Sequence, residues 1–253
     1  AGKPGIGFRL QNPAISLERF RVIGSNLQTT DNTWTPVWGE QKQIRNQYNQ
    51  LTLQLKDSNN ILLNLIVRVF NDGFGFRCEF PEQAGLNHFI IADELSRFRM
   101  TGDHKTFWIP GDYDTNEYGY YTSKLSEVDA SGGGMAQEIH AKTFFDKNAV
   151  QTPLMMKTGD GLYINIHEAA LVNYPAMNLV LDKSNFSFQS HLVPDAVGNK
   201  AYLRTPAKSP WRTFVVSDKA TDILASKMIL NLNEPSKLTD VSWIKPVKYV
   251  GIW

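Results

Sequence analysis

The stretch that decides the fold is residues 61–80, ILLNLIVRVFNDGFGFRCEF. The apolar run 61–70 meets Asn71-Asp72-Gly73 and continues as a second β-prone run, 74–80. Two such runs around an Asp-Gly read as a hairpin whose turn residues tolerate positive φ. By the two-residue period of a strand, Phe74, Phe76, Cys78 and Phe80 share one face, and Arg77 and Glu79 the other. Cys78 therefore sits in an aromatic stripe. It reads as a small buried thiol rather than a nucleophile, because apolar burial raises a thiol's pKa.

The same period recurs outward from this hairpin. Strand-like runs fall at 15–23, 51–56, 89–91, 106–109, 142–145, 153–157, 161–167, 178–182, 186–192, 201–205, 211–216 and 228–232, separated by Gly, Pro, Asn, Asp and Ser. The one helix candidate is 218–226, capped by Ser217 or Asp218. Ser131-Gly132-Gly133-Gly134 reads as a loop tip. The pattern predicts an all-β fold: a large antiparallel β-sandwich with long loops and at most one or two short helices. The final Tyr249-Val250-Gly251-Ile252-Trp253 reads as a buried strand. Left bare it would be an exposed edge, so more protein is expected to follow.

Composition narrows the function. The 253 residues carry 26 Lys plus Arg against 25 Asp plus Glu, a formal net charge of +1, so no global field draws nucleic acid or an anionic membrane. A single cysteine excludes an intramolecular disulfide and any zinc site built on paired cysteines. No apolar run approaches the ~20 residues that span a bilayer. The opening Ala1-Gly2-Lys3-Pro4-Gly5 is not a signal peptide, which leaves the compartment open.

Familiar catalytic motifs fail one by one. His167-Glu168-Ala169-Ala170-Leu171 starts like the zinc-protease helix but has Leu171 at the second histidine, at the end of a strand pattern. Asp112, Asp114 and Asn116 open like a calcium loop, yet Glu117 replaces the required glycine and Ser123 the closing glutamate. Asp112 and Asp114 also stand too close and exposed to serve as a glycosidase dyad. There is no phosphate-cradling loop and no Gly-x-Ser-x-Gly elbow.

Three features remain. In GLYINIHEAALV, 161–172, regular pairing puts Leu162, Ile164, Ile166 and Glu168 on one side of a strand. A carboxylate continuing an apolar stripe must either turn to solvent as the strand ends or face a cation, arginine or metal, because burying it unpaired is very costly. His167 faces the other way and reads as a packed residue. The aromatic stretch 106–121, TFWIPGDYDTNEYGYY, offers Trp108 and Tyr113 as a sugar-stacking platform or as core anchors. Trp34 and Trp38 in TWTPVWGE invite the same two readings.

Taken in order, WTPVWGEQKQIRNQYNQLTLQL (34–55), FNDGFGFRCEF (70–80), FWIPGDYDTNEY (107–118), GLYINIHEAAL (161–171), SPWRTFVVSD (209–218) and ILNLNEPS with WIKPVKYVGIW (229–253) resemble glycoside hydrolase family 97. The closest likeness is to its calcium-dependent α-glucosidases from Bacteroides-type starch-utilisation systems. The resemblance implies an N-terminal β-super-sandwich over 1–240, with 241–253 as linker and start of a first strand of a (β/α)8 catalytic barrel. It implies that Glu168 reaches toward the barrel's active site and binds calcium, and that the general acid and base lie on the barrel. No catalytic residue is assigned within this chain, which alone is expected to be inactive. The implied substrate is an α-linked glucoside such as a malto-oligosaccharide, and the implied location periplasmic. A stand-alone carbohydrate-binding module and a purely structural sandwich are the competing readings.

Overall fold

The computed structural model describes residues 5–132, 142–245 and 247–252. Gly133 and Gly134 of the expected loop tip lie outside them.

The hairpin forms as strands Leu62–Phe70 and Gly73–Phe80 around a two-residue turn, Asn71-Asp72. The reason for its glycine differs from the sequence expectation. Neither the turn residues nor Gly73 adopts positive φ. What Gly73 supplies is space, since a Cβ there would lie 2.0 Å from the Phe214 carbonyl oxygen of the neighbouring strand Trp211–Ser217. Cys78 is buried and its thiol pKa is pushed far up by burial, as the aromatic stripe predicts.

These strands sit near the middle of a ten-stranded sheet. On one side of the hairpin run Trp211–Ser217, Tyr163–Ala169, Leu154–Lys157, Lys105–Trp108 and Tyr121–Lys124. On the other run Ile44–Asp57 and, at the edge, Phe20–Trp34, and the short tenth strand Ala207–Lys208 pairs with the far end of Gly73–Phe80 outside this order. Two four-stranded sheets complete the sandwich. The first contains Phe8–Asn12 and His88–Glu94, the second Met177–Asp182 and Ser187–Leu192. All the strand pairings described are antiparallel. Side chains from all three sheets, including Phe8, Phe80, Phe89, Ile166, Leu179 and Phe188, form one continuous core. Burial of this kind contributes about 1.5–3 kcal/mol per large side chain and is the main source of stability.

The outer face of the large sheet carries a smaller cluster of Ile66, Ala169, Trp211, Val215, Met228 and Leu232. Two short helices cover it, Ala220–Ala225 and Met228–Leu232. The first falls in the predicted window, but its cap is Lys219, not Ser217 or Asp218. The second overturns the strand expected at 228–232. Met228, Asn231 and Leu232 are its buried residues, and their spacing is that of a helix face. The segment 247–252 also departs from expectation: it forms no strand, and Val247, Tyr249, Val250 and Ile252 are exposed, with no strand among the described residues paired to them. Among the described residues no helix is long and apolar enough to cross a membrane.

Gly73→Ala is expected to destabilise the chain by at least about 2 kcal/mol, because the obstructing atom is backbone and cannot rotate away. The urea midpoint measures this, and an unchanged midpoint would show the close approach to be dispensable.

Candidate functional site

Strand Tyr163–Ala169 pairs regularly with Trp211–Ser217 through its whole length, so Glu168 stands directly across from Arg212. Ile164 and Ile166 face the main core, and Glu168 continues their stripe inward. The strand does not end at His167, and the carboxylate does not turn to solvent. The cation it faces is Arg212, whose side chain is 1% exposed against 5% for Glu168.

This arginine is shared. Its Nε and Nη2 donate to Oε1 and Oε2 of Glu94 at 2.9 and 2.6 Å, and its Nη1 donates to Oε1 of Glu168. Glu94 also accepts the Ser96 hydroxyl at 2.8 Å and the Tyr174 hydroxyl at 3.0 Å. Glu168 Oε2 accepts the Met177 backbone N–H at 3.0 Å. Charge-assisted, bidentate pairing of this kind is what lets ionised groups survive burial.

The electrostatics follow from that geometry. Burial alone would raise the Glu94 pKa, but Arg212, Ser96 and Tyr174 outweigh it and hold the carboxyl below its ordinary value. Burial would also strip the proton from Arg212, and the two carboxylates reverse that, raising its pKa. Tyr174 is kept neutral by burial and by Glu94. Behind Glu168, His167 faces the helix-covered side of the sheet. Burial lowers its pKa, and its Nδ1 has no hydrogen-bond partner among the described residues.

Of the two readings of Trp108 and Tyr113, the structure shows the anchors and not the sugar-stacking platform. Trp108 is 3% exposed, stacks on Tyr121 and donates its Nε1–H to Ser123. Tyr113 stacks on Phe145 at 4.5 Å, and its hydroxyl lies 2.6 Å from His191 Nε2. Burial pushes the His191 pKa down to about 4, so this imidazole is neutral. Asp112 is a loop staple: it accepts the N–H groups of Asp114, Thr115 and Thr143 and the Tyr118 hydroxyl. These residues anchor a long loop rather than present a surface. Trp34 behaves differently, being 36% exposed, and so does Trp38 at 66%. Sequence reasoning missed Glu94, Arg212 and Tyr174, although Arg212 lies opposite Glu168 once the two strands are paired.

Glu94, Arg212 and Glu168 thus form a buried ionic centre inside a large antiparallel sandwich. The profile described as Glycosyl-hydrolase 97 N-terminal matches residues 3–235, and the chain belongs to that family as its N-terminal domain. It is 27% identical to a retaining alpha-galactosidase from Bacteroides thetaiotaomicron, over 98% of this chain and 38% of that protein. It superposes on a Glycoside Hydrolase Family 97 enzyme from Pseudoalteromonas sp. strain K8, with a TM-score of 0.83 and 34% identity over 96% of this chain and 34% of that one. The same enzyme has been solved with acarbose and with panose. A beta-arabinopyranosidase shares the fold, with a TM-score of 0.65 at 19% identity over 84% of this chain and 34% of that one. The chain thus spans just over a third of the length of these relatives.

Because the Glu94 pKa is depressed, the stability it contributes is complete above the unfolded carboxylate value of about 4.3 and is lost as pH falls through the folded value. Urea midpoints are therefore expected to fall below about pH 4, and less steeply in Glu94→Gln. At neutral pH, Arg212→Met strands two buried carboxylates and is expected to cost about 3–5 kcal/mol. An unperturbed urea midpoint in that variant would refute the ionic centre.

Proposed function

We propose that this chain is the sandwich of an α-glucoside-hydrolysing family 97 enzyme, covering the mouth of a (β/α)8 barrel where the active site of that fold lies. The glucoside reading is supported by the higher identity to the enzyme solved with acarbose and panose, 34%, than to the alpha-galactosidase, 27%. Catalytic carboxylates belong to the barrel. The sandwich contributes shape to the site and one acidic side chain near it. The periplasmic location implied by the resemblance belongs to the same reading.

The acidic side chain is Glu168, proposed as a calcium ligand. The arginine opposite meets the need for a cation that the apolar stripe raised, so strand parity no longer argues for a metal. The observation that carries the proposal is the charge count: two buried carboxylates, Glu94 and Glu168, share one guanidinium. Glu94 holds two of its nitrogens and Glu168 one, so the surplus negative charge lies toward Glu168. Each Glu168 oxygen accepts one hydrogen bond and keeps a lone pair. The donor set fits calcium in kind but not in number. One carboxylate supplies at most two of about six to eight oxygens, and the others must come from outside the described residues. Calcium held there by Glu168 and by ligands from outside the described residues would supply a fixed positive charge to the site. Arg212 and Met177 hold the carboxylate at one orientation, which spares it the ordering cost of a free side chain.

The test uses the full-length enzyme. Hydrolysis of p-nitrophenyl α-glucoside is expected to exceed that of the α-galactoside by about tenfold or more in kcat/KM, and the reverse order would defeat the substrate reading. Glu168→Gln is expected to weaken calcium affinity about tenfold or more and to abolish calcium's effect on the melting temperature. Unchanged calcium binding would leave Glu168 as a structural ion-pair partner only.

A further inference from the structure

The geometry points to a second carbohydrate-binding site on the outer face of the large sheet, built around Trp34. A cavity of about 590 Å³ opens there between the far end of strands Phe20–Trp34 and Ile44–Asp57 and the segment that follows helix Met228–Leu232. That volume is within the range of small-ligand sites. Its lining includes Trp34, Asn32, Asn46, Asn231, Asn233 and Glu234.

Trp34 is held rather than buried. Its Nε1–H donates to Asn231 Oδ1 at 2.8 Å, and Asn231 Nδ2 in turn donates to the Arg45 carbonyl at 2.9 Å. Asn231 is 8% exposed, so the clamp is rigid. With the one polar group of its indole engaged, Trp34 is still 36% exposed, whereas Trp108 and Trp211 are 3% and 0% exposed. Asn32 and Asn46 stand opposite each other across the hairpin, which sets two amides on one face. Asn46 Oδ1 is shielded and has no hydrogen-bond partner among the described residues, a costly condition unless a ligand or solvent donor meets it. Glu234 is fixed through Oε1 by Arg77 and Lys208 at 3.3 and 3.2 Å.

A flat ring, several amides that both donate and accept, and one oriented carboxylate match a pyranose: its C–H face lies on the indole and its hydroxyls meet the amides. The ligand is an α-linked oligosaccharide. This class rests on the sugar chemistry proposed above, whereas the site rests on geometry alone. It lies on the sheet face opposite Glu168, so binding does not require calcium.

The test is calorimetric titration of this 253-residue chain with maltotriose in the presence of a calcium chelator. Saturable millimolar binding is expected. Trp34→Ala and Asn46→Ala should each weaken it about tenfold, and Trp38→Ala, outside the cavity, should leave it unchanged. Asn46→Ala removes no packed ring and decides the matter if the tryptophan variant unfolds. Absence of binding by the wild-type chain, or binding that survives Asn46→Ala or a folded Trp34→Ala, overturns the site. Neither result alters the calcium and substrate tests on the whole enzyme.

Discussion

Keeping one guanidinium charged in the dry interior is the constraint on which the sandwich is organised. Arg212 stands on the large sheet and Glu94 at the end of a strand in the first small sheet. Glu168, beside the arginine, accepts from the first backbone N–H of a strand in the second small sheet. The three sheets therefore meet at one ionic centre, ringed by the aromatic and aliphatic core. Apolar packing supplies most of the free energy but tolerates sliding, since one methyl replaces another at little cost. A bidentate ion pair does not tolerate it. The arginine converts a generally attractive interface into one alignment of the three sheets.

The sequence disclosed most where the two-residue period was strong. The central hairpin, the core-facing side of 161–168 and the burial of Cys78 could all be read from alternating Phe, Ile and Leu. It was silent where the period fails. Strand Phe20–Trp34 carries the run QTTDNT at 28–33, with no apolar stripe, because much of its length is exposed. Only its first part, and only 51–56 of its partner, stood out. The stretch 228–232 was misread for a related reason: five residues hold too little of either period to separate a strand from a helical turn.

The candidate site was half legible. An acidic residue in an apolar stripe left two readings open, solvent or a cation, and the structure shows the cation. Which cation answered it depended on register between strands more than forty positions apart, which no local pattern carries. Trp108 and Trp34 looked alike in sequence, both in aromatic, proline-containing stretches. They differ because Trp108 lies on a strand that faces the common core, while Trp34 ends the strand at the sheet's border.

That border has a consequence for how the molecule behaves in crowded solution. One side of Phe20–Trp34 carries backbone amides and carbonyls that no further strand among the described residues takes up. Such a rim invites a copy of itself to continue the ladder and, by repetition, to grow a filament. Here the middle of the rim bears amide, hydroxyl and acidic side chains, so each added copy would gain backbone bonds while drying groups that prefer water. The strand can stay long and open without becoming a seed for fibrils.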